Sequence, residues 1–75
     1  MGEYLMGSEE AVNNLIKIMQ DGLKPQLLRA GAAEGLGYAG GPVARKALSK
    51  IMNDGLKPDL IRIAAAKALG FASKE

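Results

Sequence analysis

Four residue groups in this chain have types and spacings that could do chemistry. Gly35-Leu36-Gly37-Tyr38-Ala39-Gly40 matches Gly-x-Gly-x-x-Gly, the pattern that lets a backbone approach a dinucleotide pyrophosphate. Such a turn must follow a strand and open a helix, and here helical periodicity leads into it, so it closes a helix. A second copy of the stretch, Ala68-Leu69-Gly70-Phe71-Ala72-Ser73, keeps one glycine of the three. Glu9-Glu10 is an adjacent carboxylate pair, and it suits the positive end of a helix dipole better than general acid–base work. Ser8, Ser49 and Ser73 have no base to activate them, because the chain has no His, and no Cys offers a better nucleophile. Cys/His metal sites are excluded for the same reason. The sequence therefore predicts no catalytic, cofactor-binding or metal-binding residues, no cofactor, and a non-enzymatic protein. Arg45, Lys46 and Lys50 are spaced to share the outer face of one helix, with Lys17, Lys24 and Lys57 as further cations. Phosphate-backbone binding needs several such cations on one surface. This cluster is thin, so nucleic-acid binding stays a minor alternative to an ordinary solvated face.

What must position these groups is a repeat. Ala11–Gly40 aligned with Ala44–Ser73, thirty-three residues on, is identical at 17 of 30 positions. A period in this range marks stacked supersecondary units. In each unit an apolar stripe at helical spacing comes first: Ala11, Val12, Leu15, Ile18 and Met19, then Ala44, Leu48, Ile51 and Met52. Asp21-Gly22 and Asp54-Gly55 end these helices, with glycine expected to take the left-handed conformation just past the end. Pro25 and Pro58 open the next helix, and Leu23 and Leu56 are expected to plug the gap between the two. The second helix of each unit is apolar around most of its circumference, which predicts burial on more than one side. Gly31 and Gly35, matched by Ala64 and Ala68, are expected to permit a close backbone approach. Tyr38 and Phe71, at equivalent positions near helix ends, are expected to serve core or inter-unit packing.

The spacing predicts helices over 9–20, 25–39, 42–53 and 58–72. Residues 1–8 form a stub or cap, 9–40 the first repeat and 41–75 the second, all in one domain. Glu3–Gly7 falls in the register of a preceding second helix. Charge is uneven: residues 1–40 carry three basic and five acidic side chains, residues 41–75 seven and three. No apolar stretch reaches the roughly 20 residues a membrane-spanning helix needs. The N-terminus lacks the pattern of a signal peptide, so a cytoplasmic location is expected.

The strings Arg29-Ala-Gly-Ala-Ala-Glu-Gly-Leu-Gly37 and Arg62-Ile-Ala-Ala-Ala-Lys-Ala-Leu-Gly70 resemble the second helix of HEAT-like repeats. The short variety named after phycobilin lyases is the most similar, and the resemblance covers Ala11 to Ser73. It implies an all-α fold of two tandem antiparallel helical hairpins stacked as a short α-solenoid; tetratricopeptide-like repeats are the alternative. It also implies a structural turn and ladder role for Asp21, Arg29, Asp54 and Arg62. Such repeats serve many unrelated functions. The expected function is a protein–protein interaction or assembly scaffold, with the partner another protein or, through the apolar last helix, a second copy. A ligand-holding module for lipid or pigment is the competing reading. Ile16, replaced by Ser49 in the other copy, joins Arg45, Lys46 and Lys50 as a possible interaction surface.

Overall fold

Two aspartate turns and one glycine junction set the architecture. A computed structural model describes residues 8–74. It contains α1 (Ser8–Gln20), α2 (Gln26–Ala39), α3 (Gly41–Met52) and α4 (Asp59–Ala72), with no strand among the described residues. α1 and α2 form the first hairpin and α3 and α4 the second. The expected stub over Glu3–Gly7 lies outside the described residues.

The turn inside each hairpin is built by an aspartate side chain. Asp21 Oδ1 accepts the Leu23 N–H at 2.9 Å, and the Asp21 carbonyl accepts the Lys24 N–H at 3.1 Å. Asp54 repeats both bonds with Leu56 and Lys57 at the same distances. Aspartate is favoured here because its carboxylate mimics the backbone acceptor of a turn. Two expectations are corrected by this. Among the described residues positive φ occurs only at Gly40 and Gly41, so Gly22 and Gly55 are not left-handed caps. Leu23 and Leu56 do not plug the hairpins: they are 95% and 94% exposed. The space they were expected to fill belongs to a core whose largest fully buried side chains are Met19, Leu36, Leu48 and Ile61. Pro25 and Pro58 then fix φ at −58° and −61°, and their carbonyls each accept an N–H, from Arg29 and Arg62, at 3.1 Å. They are N-caps, so α2 and α4 begin one residue after them.

The hairpins are joined by Gly40 alone, at φ 67° and ψ −165°. A side chain is strained in that conformation, whereas glycine adopts it freely. The chain reverses there and Pro42 follows within the first turn of α3, where its missing N–H costs nothing.

α2 and α4 make the most extensive pairing among the described helices. A Cβ on Gly37 would lie 2.9 Å from the Cα, Cβ and O of Ala68, so the two backbones touch there. The sequence placed the close approach at Gly31 and Gly35. Gly31 instead faces open space, and Gly35 faces the flexible Leu15 side chain at 3.2 Å. Gly37→Ala is therefore expected to lower the unfolding free energy by about 2 kcal/mol or more, through overpacking against main chain. Gly31→Ala should raise it by up to about 1 kcal/mol, the ordinary gain of alanine in a helix. Urea denaturation of both variants checks the pair.

Candidate functional site

The four residues assigned a turn or ladder role occupy equivalent places in the two repeats. Arg29 is buried and its Nε donates to the Met19 carbonyl at 2.9 Å. Arg62 Nε donates to the Met52 carbonyl at 3.0 Å. Both acceptors lie in the last turn of α1 or α3, where carbonyls lack helical partners and the dipole is negative. Each arginine thus ties the second helix of its hairpin to the end of the first. The aspartates are not brought to the arginines. Asp21 and Asp54 use their Oδ1 atoms inside their own turns, and the ion pair of Arg62 is with Asp59 at 3.9 Å. Gln26 stands where Asp59 does in the other copy, and Arg29 Nη2 is buried without a hydrogen-bond partner.

The expected surface of Ile16, Arg45, Lys46 and Lys50 does not form as one patch. Ile16 is half-buried against the core rather than outward. Arg45 is half-buried too, and its Nη1 donates to the Ala72 carbonyl at the end of α4, 3.1 Å away. Lys46 and Lys50 are exposed and share an open groove with Ser49, Asn53 and Asp54, whose carboxylate offsets part of their charge. Val12 takes the place of Arg45 in the first repeat. The corresponding region between Val12, Ala39 and the Gly40–Val43 junction is a hollow of about 590 Å³, walled further by Glu9, Ala11 and Asn13.

A different surface gathers on the second helices. Leu27 and Leu60, and Tyr38 and Phe71, are equivalent pairs, and all four side chains are exposed. The two rings stack, with centroids 5.9 Å apart and planes 28° from parallel. Glu34, Lys67 and Ala68 share a cleft with them, and Lys74 Nζ lies 5.4 Å from the Phe71 centroid. Aromatic faces, aliphatic tips and charges of both signs give this surface the means to hold another chain. The sequence predicts core or inter-unit packing for Tyr38 and Phe71; they meet between the units but are exposed rather than core, and the two leucines are exposed with them. The signal for such a surface was the shared offset of both pairs on α2 and α4. Among the described residues no group of three His, Cys, Asp or Glu side chains could hold a metal ion. Among the described residues no helix is long and apolar enough to cross a membrane.

No family model, curated protein or solved structure matches this chain. Its geometry has to be interpreted from its own two copies, which differ instructively at the arginines. Arg29 is buried, while Arg62 is partly open. Arg29→Ala should lower the unfolding free energy by about 2–3 kcal/mol, as expected for a buried charge-assisted bond to a helix end. Arg62→Ala should cost about 1 kcal/mol or less, because solvent already screens it. Equilibrium denaturation of the two variants gives the comparison.

Proposed function

We propose that this protein is a non-enzymatic, HEAT-like repeat module of the cytoplasm that serves as a protein–protein interaction or assembly scaffold. The observation that carries this reading is the repeat-equivalent exposure of Leu27 and Leu60 and of the stacked Tyr38 and Phe71. Isolated exposed apolar residues are ordinary on any surface. Here the exposed pairs recur at the same helical positions, and the stacked rings lie beside the charges of Glu34, Lys67 and Lys74. That pattern matches the aromatic-rich centre and polar rim of protein interfaces. The occupant that fits it is an apolar segment of another protein chain, with charges of both signs at its edges.

The test compares tagged wild type with Tyr38→Ala/Phe71→Ala and with Lys46→Ala/Lys50→Ala in affinity purification from the native cells. A discrete partner should be retained by wild type and by the lysine variant, and lost by the aromatic variant at unchanged helicity. Retention by all three, or no specific partner on wild type, refutes the reading.

A second reading, a ligand-holding module, is favoured by the hollow at Val12 and Ala39, whose volume of about 590 Å³ falls within the range of small-molecule sites. It predicts a co-purifying small molecule that native mass spectrometry detects as an adduct and that Val12→Arg, filling the hollow as Arg45 does, removes. A mass without adduct eliminates this second reading.

A further inference from the structure

We infer that a second copy of this chain docks head-to-tail on the outer side of α4, repeating between molecules the contact that α2 and α4 make within one. This inference rests on the interaction-module reading and names the partner. The two helices of the internal contact are copies of each other, yet they use opposite sides. α2 contributes Ala30, Ala33 and Gly37, and α4 contributes Ile61, Ala64, Ala68 and Ala72, all buried. The same positions on the other copy are left uncovered. On α4, Ile63 is 54% exposed, and Ala66 and Gly70 are exposed with it. On α2, Leu28 is 49% exposed, Gly31 and Ala39 are exposed and Gly35 is half-buried. Each molecule therefore ends in one half of an interface whose other half lies at its opposite end.

Three further observations favour a second copy as the occupant. The first is volume. Ile63 is larger than its counterpart Ala30, but Gly31 and Gly35 are each a methyl smaller than Ala64 and Ala68, which returns most of the space. Gly31 and Gly70 are costly inside helices, and no neighbouring atom in the monomer requires either. At the intermolecular contact Gly70 would occupy the place that Gly37 holds against α4. The second is shape beside the stacked rings. On the side of Phe71 carrying Gly70, an open hollow of about 380 Å³ is lined by Lys67, Gly70, Phe71 and Lys74. The Tyr38 ring of a following copy would enter it, continuing the stack and taking the place of Lys74. The third is charge. The leading half carries three basic against five acidic residues and the trailing half seven against three. The Glu34 side chain of the following copy would then stand beside Lys67 of the copy before it, as the two do within the chain, where both line one cleft. Such an interface is heterologous and grows into open filaments rather than a closed pair.

Sedimentation velocity of the full chain across a concentration series tests this directly. Wild type should show an average mass that rises with concentration and does not level off at two chains. Leu28→Glu and Ile63→Glu, each changing an exposed residue at one end, should each be monomeric alone. Mixed, they should give a complex of two chains and nothing larger, because one sound end of each meets the other. Gly70→Ala should weaken association about tenfold or more through contact with the neighbouring main chain, while its thermal midpoint stays equal or rises. A monomeric wild type, a plateau at two chains, or self-association by either single variant overturns the inference. The sedimentation variants leave Tyr38 and Phe71 in place, so a monomeric wild type overturns this inference while the capture of a different protein through the two rings still decides the interaction-module reading.

Discussion

The approach of α2 to α4 at Gly37 is the constraint on which the rest of the molecule depends. With a Cβ site only 2.9 Å from Ala68 main-chain atoms, the helices sit nearer than larger side chains would allow. That closeness brings Tyr38 onto Phe71. Small side chains bury little apolar area each, so cohesion here comes from many short van der Waals contacts. A chain of 75 residues has no disulfide to fall back on, since it has no Cys, and domains of this size hold only a small margin of stability. One methyl at the crossing point consequently matters more than one methyl elsewhere.

Much of this architecture was legible in the sequence because the chain states it twice. The helices fall within one residue of the spans expected from the apolar stripes, the prolines and the Asp-Gly pairs. Those signals are local, and the repeat let each be checked against a copy. What was misjudged depends on which side of a helix meets which neighbour. Gly31, Gly35 and Gly37 lie within two turns of one helix, and only the direction of α4 decides that Gly37 is the point of contact. Leu23 and Leu56 looked like plugs because leucine is commonly buried, but an aspartate-built turn leaves their side chains in solvent. Ile16 was assigned outward because serine replaces it, though a half-buried position tolerates both. Arg45 was counted with Lys46 and Lys50 from helical spacing alone; its length lets it reach the carbonyl end of α4, which spacing does not reveal.

The functional surface follows from the same duplication. Identical positions are covered in one repeat and uncovered in the other, so the internal interface is a template for what the ends can bind. The stacked Tyr38–Phe71 pair draws one ring from each unit, so neither hairpin could present it alone. The proposed recognition needs no reactive side chain. It needs two hairpins held at a fixed spacing, which the Gly37 contact, the Gly40 junction and the two aspartate turns supply.

The most direct measurement of the central claim is a nuclear Overhauser cross-peak between a Gly37 α-proton and the Ala68 methyl. One of those protons points where a Cβ would stand, so a strong cross-peak is predicted, together with contacts between the Tyr38 and Phe71 rings. Absence of the Gly37–Ala68 cross-peak, in a sample whose helices are fully formed, would show that the hairpins do not meet there and would contradict the account.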